Sequence, residues 1–73
     1  MSVIKVLELV GESTKDWTDA VQQAVAEAAR TVRNITGVEV ANMTANVRDG
    51  RITEYKANVK VAFAVEPDRP GAR

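Results

Sequence analysis

A chain that contains neither cysteine nor histidine must draw any chemistry from carboxylates, lysines, arginines, hydroxyls and one each of Trp, Tyr and Phe. The usual ligands of zinc, haem and iron–sulfur clusters are therefore absent. Nucleophilic catalysis needs a nucleophile held beside a base, and Ser13, Thr14, the lysines and the carboxylates are the remaining candidates. That is a thin set, and an enzyme is not expected. Glu8 and Glu12 lie four residues apart across the end of a strand-like run, a spacing that suits a solvated edge better than an acid–base dyad. Gly11-Glu12-Ser13-Thr14 could present free amides to a phosphate ahead of a helix. It lacks the further glycines and the Lys-Ser/Thr of a P-loop, so a plain helix start is favoured. Trp17 could stack a planar ligand, but it heads an apolar stripe at helical spacing and reads first as packing. Tyr55 reads as core with its hydroxyl at the rim. Arg30 and Arg33 read as a solvated face near a helix C-terminus, with an anion or subunit contact as the alternative.

The elements that would position these residues are legible in order. Val3 to Val10 is aliphatic and β-branched and stops at Gly11, which predicts a strand with Lys5 and Glu8 on opposite faces. Ser13 followed by Asp16 resembles a capping box, and Trp17, Ala20, Val21, Ala24, Val25, Ala28, Val32 and Ile35 then recur at steps that predict a helix. Asn34 to Gly37 supplies the stop, with Gly37 expected in the left-handed conformation. Val38 to Val47 reads as a strand whose apolar phase slips between Val40 and Met43, which calls for a bulge or burial on both faces. Asp49-Gly50 predicts a type I′ hairpin. Thr53, Tyr55, Ala57, Val59, Val61, Phe63 and Val65 then occupy every second position of a long third strand. The expected fold is α+β: one β-α-β-β domain over 1–66 with a three-stranded antiparallel sheet partly wrapped around one helix. Residues 67–73, with Pro67 and Pro70, are expected to form a disordered tail.

A domain of 73 residues buries only about 60% of the surface its unfolded chain exposes. No disulfide can staple it. A strand of about 43 Å also outruns a 20-residue helix of about 30 Å, so the far end of the hairpin needs cover from another subunit. Ten basic residues balance ten acidic ones, which gives no reason to expect nucleic acid or an anionic membrane. Without a long apolar run or a signal-like amino terminus, a soluble cytoplasmic protein is expected.

The strand Val3 to Val10 with Gly11-Glu12-Ser13, the alanines Ala20, Ala24 and Ala28, the segment Thr31-Val32-Arg33-Asn34-Ile35, Val38-Glu39-Val40 and the closing Val59-Lys60-Val61-Ala62-Phe63 together resemble the dodecins. The resemblance covers roughly residues 3 to 66. It implies a homododecameric hollow shell that is not an enzyme and that stores riboflavin, FMN or FAD. It also implies an altered site. The tryptophan that stacks on the flavin in such proteins corresponds here to Gly37, and the glutamine that bonds the ring edge corresponds to Lys56, which donates but cannot accept. Thr44 stands where some relatives carry a basic residue. Loss of about 100 Å² of stacked surface and its aromatic geometry is worth roughly 3 kcal/mol, or about a hundredfold in affinity. Flavin binding is therefore expected to be weak or absent. The resemblance also implies a cation reading, since some dodecin-like proteins without the tryptophan are associated with calcium; Glu12 and Asp16 are the candidate ligands, with loop solvation and helix capping as their alternative roles. A structural oligomer with no ligand of its own is the third reading.

Overall fold

The computed structural model describes residues 3–65, so Glu66 and the expected tail at 67–73 lie outside the described residues. The element order is the expected one: β1 (Val3–Ser13), α1 (Trp17–Ala29), β2 (Ile35–Arg48) and β3 (Arg51–Val65). Both pairings are antiparallel and the sheet order is β1-β3-β2, so the third strand is central. Its side chains alternate. Ala57, Val59 and Val61 are buried on the helix side, where Ala20, Ala24 and Ala28 meet them. Leu7, Leu9, Val21, Val32 and Ile35 pack around that cluster. The helix lies over β1 and β3 and barely reaches β2, which leaves Val38, Val40 and Met43 at 43%, 41% and 57% exposed.

Small residues set the depth of this packing. A Cβ placed on Gly11 would fall 1.9 Å from the carbonyl oxygen of Ala20 and 3.2 Å from the Ala24 methyl. The helix backbone thus rests directly on β1, an approach that a side chain would prevent.

Three boundaries differ from expectation, each for a local reason. Asp16, not Ser13, is the N-cap: its Oδ1 accepts from the Asp19 N–H at 2.7 Å, and the helix begins at Trp17. Ser13 is the last residue of a longer β1. Its Oγ donates to Asp19 Oδ2 at 2.7 Å and accepts from the Lys15 N–H at 2.9 Å. The helix ends at Ala29 rather than near Arg33, because Thr31 and Val32 are β-branched and their N–H groups close a turn onto the Ala28 carbonyl. Val32 and Ile35 keep the helical spacing only because the chain still wraps the same core. The left-handed residue is Asn34 (φ 62°), and Gly37 already lies within β2.

Other expectations hold. The register slips between Val40 and Asn42, where the apolar phase changes. Asp49 and Gly50 have φ of 53° and 76°, as a type I′ turn requires. The length mismatch exceeds the expected one: 13 helical residues rise about 20 Å while the 15 of β3 extend about 50 Å. The described chain is accordingly drawn out, 59 × 19 × 13 Å.

Two outcomes follow. Gly11→Ala should cost about 2 kcal/mol or more in chemical denaturation, because backbone must shift to admit the methyl. The Ser13 hydrogen bond holds Asp19 below its ordinary pKa, so its contribution to stability is present above the unfolded value and lost as pH falls through the folded one. Ser13→Ala should move the Asp19 carboxyl titration upward by NMR; an unmoved titration would refute that assignment.

Candidate functional site

The sheet face turned away from the helix carries the nominated residues, and strand register arranges it in rows. Val6, Ala62 and Gly37 form one row across β1, β3 and β2; Glu8, Lys60 and Glu39 form the next. Val10, Asn58 and Asn42 follow, and then Glu12, Lys56 and Thr44. A polar centre thus lies inside a face whose β1 end exposes Ile4 and Val6 at 51% and 59%.

Lys56 is flanked on both sides. Its Nζ lies 3.8 Å from Glu12 Oε2, with the two side chains 33% and 54% exposed. Water screens such a pair, which contributes about 0.2–1 kcal/mol and can open for a ligand. Thr44 faces Lys56 across β2 and β3, so this nominated pair is brought together. Gly37 is not. It pairs with Ala62, six residues along β3 from Lys56, which is about 20 Å of strand. A Cβ on Gly37 would meet nothing within 4 Å, so the position is open.

Trp17 is engaged inside the chain. It meets Tyr55 edge-on, with ring centroids 4.8 Å apart at 78°, and its Nε1–H donates to the Thr44 carbonyl at 2.8 Å. The indole therefore bolts the start of the helix to β2 and β3 behind Thr44. Within one chain, Thr44 and Lys56 are brought together and Gly37 stands apart from both.

Glu12 is engaged by Lys56, and Asp16 spends an oxygen on the Asp19 amide. Among the described residues no group of three or more His, Cys, Asp and Glu gathers as a metal site. A shallow open cleft of about 690 Å³ lies instead between Thr14 and the hairpin, lined by Asn46, Val47, Arg48, Thr53 and Glu54. It contains none of the nominated residues. Asn46 Nδ2 donates to Glu54 Oε1 at 3.0 Å there, a bond between registered partners on β2 and β3.

A polar residue of this face is distinguished only by its burial. Asn58 sits between the rows of Lys56 and Lys60, and its Oδ1 is buried without a hydrogen-bond partner. In sequence it is simply a polar filler in an alternating strand.

A family model described as Dodecin matches residues 3–66. The chain is 33% identical over 64 residues to the dodecin of Thermus thermophilus, covering 88% of this chain and 93% of that protein. It is 34% identical over 71 residues to the calcium dodecin of Mycobacterium tuberculosis, covering 96% and 99%. The solved structure of dodecin from Streptomyces coelicolor superposes with a TM-score of 0.85 at 28% identity over 92% of this chain and 96% of that one. No helix among the described residues is long and apolar enough to cross a membrane. With the family match spanning all four elements and the same fold found in a solved relative, this chain belongs to the dodecin family.

Proposed function

We propose that this protein is a non-enzymatic subunit of a homo-oligomeric shell, a dodecamer, that binds small ligands or ions and whose flavin site is impaired. The observation that carries the reading is the incompleteness of the single chain. Among the described residues only Ala20, Ala24, Ala28, Ala57, Val59 and Val61 are buried as core, while apolar side chains at both ends of the sheet are exposed. Hydrophobic burial drives folding, and copies of the same chain are the available source of more of it. The buried, unpartnered Asn58 Oδ1 adds to this, since an unmet acceptor costs about 1–3 kcal/mol until a neighbour supplies a donor. Symmetry also lets residues that one chain holds about 20 Å apart, such as Gly37 and Lys56, meet across copies.

The flavin part of the reading rests on Gly37 and Lys56. Without an aromatic surface the ring gains little by burial, and the ammonium of Lys56 favours an anionic group over the ring edge. Titration of riboflavin and FMN, followed by flavin fluorescence, should give no submicromolar quenching. Because a side chain at position 37 has room, Gly37→Trp should tighten flavin binding by about a hundredfold. Submicromolar binding by the native protein would overturn the impaired site.

A calcium-binding reading is favoured by one observation: the relative named calcium dodecin aligns over 96% of this chain. On that reading Glu12 and Asp16 supply oxygens that symmetry multiplies at an axis between copies, since calcium takes six to eight of them. Millimolar calcium should then raise the melting midpoint where magnesium does not. An unchanged midpoint would remove the calcium site and leave the shell.

A further inference from the structure

The helix covers only part of its own side of the sheet, and what it leaves bare on β2 is uniform in chemistry. Residues directly opposite one another in an antiparallel pair share a face. Val38, Val40, Met43 and Ala45 of β2 stand opposite Val61, Val59, Ala57 and Tyr55, the helix-side residues of β3. The register shift between Val40 and Asn42 brings Met43 back into phase with them, and alternation carries the row on to Val47 and its partner Ile52. No charged residue falls in this row, whereas the other face of β2 carries Glu39, Asn42, Thr44, Asn46 and Arg48.

The helix borders the row without closing over it. Trp17 reaches across to the Thr44 carbonyl, and Val21 and Val25 follow it at four-residue steps on the same flank, both half-buried. The opposite flank carries Asp19, which bonds Ser13 of β1. An apolar helix flank and an apolar edge strand thus frame one trough, along which Val38, Val40, Met43, Val47 and Ile52 are between 41% and 65% exposed. Together they leave on the order of 400 Å² of apolar surface, the size at which a patch marks a contact and about half of the roughly 800 Å² that one partner brings to a stable interface.

Whatever covers the trough must be apolar along about 30 Å of strand. Outside the described residues this chain holds Met1, Ser2 and the run from Glu66 to Arg73, in which Met1 is the one large apolar side chain apart from two prolines, so it cannot supply that cover itself. A second copy can. Each copy exposes the same uncharged row, and Ile4, Val6 and Val10 on β1 besides, so association withdraws apolar surface from both partners at once. We propose that the helix-side row of the hairpin, Val38 to Val47 with Ile52, is a contact between copies of this chain, a second copy filling the trough beside Val21 and Val25. This rests on the shell reading and assigns the contact to one side of the sheet: copies meet on the helix side of β2, and the row of Lys56 and Thr44 lies on the face away from it.

The test uses the full chain. V40K and M43K each place an ammonium in the row, which the free chain can leave in water but a contact would have to bury unpaired. Followed by native mass spectrometry and sedimentation over a dilution series, each should need at least about a tenfold higher concentration to assemble than the wild type. Assembly of either at the wild-type concentration overturns the proposal. Circular dichroism checks that both keep their sheet. Because the chain has no cysteine, M43C supplies a sole thiol, and its labelling by a maleimide should slow about tenfold once the shell forms. Labelling at an unchanged rate in the assembled shell would give the row to another occupant, such as an apolar peptide or a lipid, and would overturn the contact even where a lysine variant fails to fold. A wild-type chain that stays monomeric at high concentration would instead end the shell reading itself.

Discussion

The structure depends on how closely one short helix can lie on a much longer sheet. Gly11 leaves no side chain between β1 and the backbone of Ala20, and Ala20, Ala24 and Ala28 keep the helix side of that contact equally shallow. Close approach of this kind gains many weak dispersion contacts, but it buries little volume. The result is a core of three helical alanines on Ala57, Val59 and Val61, well ordered and thin. What the helix does not cover is exposed by geometry and not by accident. Thirteen helical residues cannot shield strands of 14 and 15 residues, and the excess sheet projects as the hairpin that makes the described chain 59 Å long.

That projection organises the functional face. The helix takes one side of the sheet, so the other side stays uncovered within the chain, and its rows are read out by register alone. The polar rows of Glu8, Lys60 and Glu39 and of Glu12, Lys56 and Thr44 sit centrally, away from the exposed aliphatics of the β1 end. Trp17 contributes from behind: by holding the Thr44 carbonyl and the edge of Tyr55, it fixes β2 against β3 at the row where Lys56 and Thr44 face each other. An indole that could have served as a ligand platform is thereby committed to scaffolding. The polar side chains of this face include a lysine beside a carboxylate, two asparagines and a threonine.

Much of this was legible in the residues. The alternation from Thr53 to Val65 gave β3, the Asp49-Gly50 pair gave the turn, and the change of phase after Val40 gave the bulge, because each is a local signal tied to backbone geometry. The alanine stripe gave the buried face of the helix for the same reason. The boundaries were less legible. Ser13 and Asp16 are both good caps, and the choice between them falls to the strand that keeps Ser13 extended to the end of β1. Val32 and Ile35 continue a helical period that the backbone abandons, since apolar spacing records which residues meet the core and not which conformation carries them there.

By itself the amino-acid sequence determined the order of elements, the faces that the helix and the third strand bury, and the absence of thiol and imidazole chemistry. All of these follow from residue type and periodicity. Only the tertiary structure decided that β3 is central, that Glu12 faces Lys56 and Lys56 faces Thr44, and that Gly37 lies far from both. Register between strands is a long-range property: it depends on which residues meet across the sheet, and a slip of one position would turn every one of these side chains to the other face.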